Sequence, residues 1–154
     1  MTSLVDTNRS FHQKHVLGVV SDSATIRSVL QIYARKISSI EFILLLNSIC
    51  DGLNSVDKHK VDLMIFDIRK ERGKLLPAIA SLRQRGIPTL VCCDPTDSIQ
   101  RQALVRSGVT EIISDKVEFW EFYACCQSLL RIRKQEQQLN TLLRWTKRNT
   151  ATDK

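Results

Sequence analysis

Four apolar runs in this chain end on residues able to do chemistry. "VVSDSATIR" reaches Ser21 and Asp22, "VDLMIFD" ends on Asp67, "LVCCD" on Cys93 and Asp94, and "EIISD" on Ser114 and Asp115. If these runs are strands of an open parallel sheet, their carboxyl ends are where such a sheet places its ligands. Asp22 and Asp67 matter most. Two carboxylates from neighbouring strands repel each other unless a cation or a shared proton relieves them. Mg²⁺ suits that role, because it takes one or two carboxylates and keeps several waters. A bound Mg²⁺ would draw a phosphate donor toward Asp67 as nucleophile. The competing reading needs no ligand, since strand-end acids also cap the helix or turn that follows. Residue types alone leave both open.

The elements that would position these groups are legible. Apolar runs at 16–21, 41–46, 61–67, 88–93 and 110–114 are short and apolar throughout, as in strands buried on both faces. Helical spacing lies between them. Residues 24–37 put Ile26, Val29, Leu30, Tyr33 and Ile37 on one side, and 75–85 do the same with Leu75, Ile79 and Leu82. A further helix over 98–107 is patterned less cleanly. "RGIP" at 85–88 and "SGVT" at 107–110 each offer a Gly stop before a strand, and "DPTD" at 94–97 supplies turn and N-cap residues. The alternation implies a doubly wound α/β fold, a five-stranded parallel sheet covered by helices on both faces.

The last helix overruns the domain. From about Val117 to at least Trp145 no Gly or Pro interrupts it. Phe119, Phe122, Tyr123, Cys126, Leu129 and Leu130 are expected to cover the sheet. Leu129, Ile132, Glu136, Leu139 and Leu143 then follow a 3-4-3-4 spacing, the seam of a two-stranded coil broken at Glu136. A single solvated helix is the alternative. The chain thus divides into an amino-terminal arm (1–14), a domain (15–130) and a basic helical extension (131–154).

Charge follows the same division. Of the net +7, the extension carries +5 through Arg131, Arg133, Lys134, Arg144, Lys147, Arg148 and Lys154 against Glu136 and Asp153. The body is nearly neutral, so the basic balance alone does not argue for a nucleic-acid-binding domain. The tail has one aromatic, Trp145, and no DNA-binding motif. A solvated face explains it more simply than an anionic surface or nucleic acid. No run is long enough to cross a bilayer and the polar amino terminus lacks a signal-peptide core, so a cytoplasmic location is expected. The five cysteines have no CxxC spacing and are expected to be core residues. The five glycines form neither GxGxxG nor GxxxxGK, so there is no phosphate-cradling loop and no sign of a small-molecule enzyme. None of His12, His15 and His59 falls at the carboxyl end of an expected strand, and His15 and His59 are expected to face solvent.

Over residues 15–130 the chain resembles the receiver domain of two-component response regulators. "SDSATIR" is similar to the family's opening motif, and "VDLMIFDIR" resembles the strand ending in the phosphorylated aspartate, placing Asp67 there. "GIPTLVCCD" resembles the fourth strand and "ALVRSGVTEIISDK" the stretch through the fifth. The resemblance implies a flavodoxin-like sheet of strand order 2-1-3-4-5, Mg²⁺ held by Asp22 and Asp67, and a histidine kinase as partner. The surface from residue 97 to 148 would carry self-association into a homodimer. The terminal "NTATDK", with Thr152 and Asp153, resembles the lead-in to a diguanylate cyclase (GGDEF) domain, so an output domain beyond residue 154 is a further expectation.

The departures from that family bear on function. Ser21 stands where the first of two acids is usual, which weakens the cation site. Cys93 replaces a hydroxyl that would bond a phosphoryl oxygen, and a thiol is a poor donor. Asp115 occupies the position of a lysine, and Glu71 that of a proline. A charge reversed at about 4 Å with an effective dielectric near 20 is worth several kcal/mol. Lys116 could replace the lysine only if the strand bulges, because adjacent residues point to opposite faces. The favoured reading is a non-enzymatic, degenerate regulatory module that associates with other chains. The alternatives are a receiver phosphorylated on Asp67 that controls an attached output, and an anionic-surface binder using the basic helix.

Overall fold

The computed structural model describes residues 14–152, so most of the expected arm, His12 and Asp153 lie outside the described residues. The elements alternate strictly: β1 (His15–Ser21), α1 (Ala24–Arg35), β2 (Ile40–Leu46), α2 (Ile49–His59), β3 (Leu63–Asp67), α3 (Arg72–Gln84), β4 (Thr89–Cys93), α4 (Ser98–Ser107), β5 (Glu111–Ser114) and α5 (Phe119–Thr152). All pairings are parallel, and the strand order is β2-β1-β3-β4-β5. The doubly wound fold and its order are therefore as expected. In the β1–β3 register Ser21 lies directly opposite Asp67.

Sequence chemistry explains the boundaries. Ser23, Ser48 and Asp97 cap α1, α2 and α4, each side chain accepting a backbone N–H three residues on. Gly108 closes α4 at φ 92°, a left-handed conformation that disfavours any side chain. Gly18 is required for another reason: a Cβ there would lie 2.6 Å from the Met64 sulfur on the neighbouring strand. β1, β3 and β4 form the middle of the sheet and are almost wholly buried. One core layer gathers Val20, Phe66, Val91, Leu75, Ile79 and Leu104 beneath α2–α4. The other gathers Leu17, Leu63, Leu90, Leu30 and Phe122 beneath α1 and α5.

Some expectations shift. α3 begins at Arg72 rather than 75, and α5 at Phe119 rather than 117, running on to Thr152. β3 begins at Leu63, because Asp62 turns its carboxylate to the backbone N–H of Val16, 2.9 Å away. Cys92, Cys93 and Cys126 are core residues, as the apolar context implied, but Cys50 is exposed.

The largest correction concerns His15. It is not solvent-facing: it is the first residue of β1, buried, with Nδ1 3.6 Å from Asp62 Oδ2. On the other side of Asp62, Arg133 Nε approaches Oδ1 at 3.8 Å, and Arg133 Nη1 donates to the Gly86 carbonyl at 3.0 Å. Burial alone would raise the Asp62 pKa. The His15 contact, the Val16 N–H and the Arg133 charge outweigh it and hold this carboxyl below its ordinary value. A single acid thus ties the start of β1 to the point where α5 leaves the domain. His59 is exposed, as expected, and stacks on Phe42.

Candidate functional site

The carboxyl ends of β1 and β3 bring Ser21, Asp22 and Asp67 together. Ser21 and Asp67 are both buried, the latter 1% exposed. The Ser21 hydroxyl donates to Asp67 Oδ2 at 2.9 Å, while Ser21 Oγ accepts the N–H of Ser23 at 3.1 Å. Asp22 turns elsewhere. Its Oδ2 accepts the backbone N–H groups of Arg69 and Lys70, at 3.0 and 2.8 Å, in the loop after β3. Of the two readings open on the sequence, the arrangement favours the cap. The turn that Asp22 caps follows β3, across the sheet from its own helix.

Electrostatics at Asp67 run against ionisation. Burial raises its pKa, and the Ser21 hydrogen bond and the Arg69 guanidinium, 3.8 Å from Oδ1, offset this only in part. The Asp22 and Asp115 charges push the same way as burial. The other positions are placed as follows. Cys93 is buried with Sγ 3.2 Å from Gln100 Oε1, a contact to α4. Asp115 is half-buried, and its N–H donates to the Cys93 carbonyl at 3.1 Å. Lys116 is exposed, and its charge acts on Asp94, whose pKa is lowered chiefly by the Thr96 N–H and hydroxyl. No ion pair joins Lys116 to Asp67 among the described residues. A cleft of about 200 Å³ opens beside Cys93 and Ser114, with Arg101 and Glu121 on its wall, and neither Asp22 nor Asp67 lines it.

The donor set available to a magnesium ion is smaller than two facing strand-end acids would give. Among the described residues no cluster of three or more acids, histidines or cysteines could hold a metal ion. Oδ2 of Asp22 accepts two backbone donors, the neighbouring acid is replaced by a serine, and burial raises the Asp67 pKa.

Sequence reasoning placed Ser21, Asp22 and Asp67 together but missed Arg69 and the loop donors. The available signal was "DIRK", which sets Arg69 two residues beyond a strand-end acid. Gln100, the partner of Cys93, carried none.

No protein-family model matches the chain, and no curated protein does. Solved structures do match. The signal receiver domain of an HD domain-containing protein from Pseudomonas fluorescens aligns at a TM-score of 0.70 with 13% identity, over 82% of this chain and 93% of that one. A CheY-like response regulator receiver domain protein from Methanospirillum hungatei gives 0.69 and 13%, over 80% and 98%. The chemotaxis protein CheY4 from Vibrio cholerae gives 0.65 and 16%, over 75% and 98%. The fold is that of receiver domains. At these identities the likeness is one of architecture. No helix among the described residues is long and apolar enough to cross a membrane.

Proposed function

We propose that this chain is a receiver-fold signalling module that takes no phosphoryl group on Asp67 and works by association through α5. The carrying observation is the closed state of its acids. Asp67 is hydrogen-bonded to Ser21 and pushed toward its neutral form by burial, and Asp22 is spent on the loop after β3. Asp115 adds negative charge where phosphoryl oxygens would lie. What supports association is the length of α5. Its last deeply buried residue is Leu130, yet the helix continues to Thr152. A helix with so little tertiary support is marginal in water unless something packs against it. In this reading the domain pairs two chains and sets the register of whatever the helix carries, an output such as a diguanylate cyclase included.

The test is intact mass after incubation with acetyl phosphate and Mg²⁺, with Asp67→Asn as control. The expected result is no added phosphoryl group on either protein. One phosphoryl group on the wild type, absent from the variant, would overturn the reading in favour of a live receiver with a kinase to be sought.

A further inference from the structure

The 3-4 spacing in the last helix admits two neighbouring seams, and the fold removes one of them. Leu129 is 3% exposed, part of the core beneath α1 and α5, and unavailable to any partner. Glu136 stands on the flank of α5 beside Gly86, where a Cβ would come within 3.2 Å of its Oε2, so it can edge a seam but not centre one. Cys126, Leu129 and Leu130 mark the side of α5 turned to the sheet, and Arg133 and Gln137 continue it along the base of the domain. Ile132, 39% exposed, edges the domain beside Gly86 and Thr110, and from it Gln135, Leu139, Leu142, Thr146 and Asn149 recur at 3-4-3-4-3 on the side turned away. Leu139 and Leu142 are 55% and 59% exposed, so this stripe is uncovered.

Charge identifies what covers it. With Ile132, Leu139 and Thr146 as a positions and Gln135, Leu142 and Asn149 as d positions, the flanking e and g positions from 131 to 150 hold Arg131, Glu136, Gln138, Leu143, Trp145 and Thr150. Only two of these are charged, and they are opposite. A g residue meets the e residue five positions on in a parallel partner, which pairs Arg131 with Glu136 of a second copy, twice across the dyad. Both are exposed, and neither forms an ion pair in its own chain among the described residues. The remaining cations, Arg133, Lys134, Arg144, Lys147 and Arg148, fall on the outward b, c and f positions, where two copies do not bring them together. Leu143 and Trp145 widen the apolar strip on either flank.

We infer that a second copy of this chain covers the stripe, in parallel, in the register that sets Arg131 against Glu136 of its partner. This rests on the association reading above and specifies its interface; Ile132 and Leu139 stay in the seam, and the row Leu129–Glu136–Leu143 gives way to Gln135–Leu142–Asn149. The test is sedimentation of the full chain at low salt. Wild type is expected to dimerise. Arg131→Glu and Glu136→Arg are each expected to weaken the dimer about fivefold, and the double variant to restore it. Leu142→Asp is expected to abolish the dimer while the circular dichroism of the domain is kept. A wild type that stays monomeric overturns the association reading itself. A dimer whose charge-swapped double variant is no better than the singles overturns this register and leaves association standing.

Discussion

The two ends of the sheet treat a buried acid in opposite ways. At the amino end, Asp62 accepts the Val16 N–H and has the His15 ring and the Arg133 guanidinium at 3.6 and 3.8 Å. Its charge is stabilised and its carboxyl is held below the ordinary value. At the carboxyl end, Asp67 has a serine hydroxyl, a more distant arginine and two acids for company, and burial lifts its pKa. The end that resembles a catalytic site is thus the less ready to hold charge. Partners and depth act together: Asp62 is half-buried beside two basic side chains, and Asp67 is buried beside two acids. An acid can be buried charged when donors converge on it, and is pressed toward neutrality when they do not.

The largest effect is expected of Asp62→Ala. It strips the acceptor from Val16, His15 and Arg133 together, and chemical denaturation should show a loss of about 2–4 kcal/mol. Asp67→Asn should do the reverse. A raised folded pKa means that ionisation costs stability, fully present below the unfolded value near 4 and lost as pH rises above it. The asparagine escapes that cost and still accepts from Ser21, so it should gain about 1 kcal/mol at pH 7, with the gain vanishing toward pH 4. Denaturation at both pH values reads this directly. A variant no more stable at pH 7 than at pH 4 would show that Asp67 ionises freely.

Asp62 has the complementary sign. Its stabilisation is complete above the unfolded value near 4 and drains away as pH falls through the depressed folded value. Ser21→Ala sharpens the picture at smaller scale. Removing the one hydroxyl that favours the charged form should cost about 1 kcal/mol at pH 7 and less at pH 4. The smallest effects concern the neighbours. Asp115→Asn should lower the Asp67 titration midpoint followed by carboxyl NMR, whereas Lys116→Met should leave it in place. An upward move on losing Lys116 would show that this lysine reaches the site.

The carboxyl end was the more legible of the two. Four of the five strands there announce themselves by an apolar run closed by an acid or a hydroxyl, and the alternation with helical spacing orders the strands. Ser21 and Asp67 therefore emerge as neighbours from local pattern alone. The amino end gives no such signal. His15 and Asp62 lie 47 positions apart, and Arg133 is 71 residues beyond Asp62. Nothing in a polar residue before a strand says whether its partner will be water or an acid from elsewhere. The direction of Asp22 was equally hidden, because its partners are backbone N–H groups that any sequence supplies. In α5, spacing located a stripe but could not say which side of the helix the domain would claim. Leu129 and Glu136 were settled by packing.

Arg133 also has a mechanical role. It holds α5 at the Gly86 carbonyl and at Asp62, at the point where the helix leaves its support. From there to Thr152 the helix extends about 28 Å at 1.5 Å per residue. Such a rod is a pointer pivoted near its foot: a tilt of roughly 10° there would sweep its far end by about 5 Å, several times the shift at the pivot. The base of the sheet, far from the acids that draw attention, is where the smallest rearrangement would be read out as the largest movement.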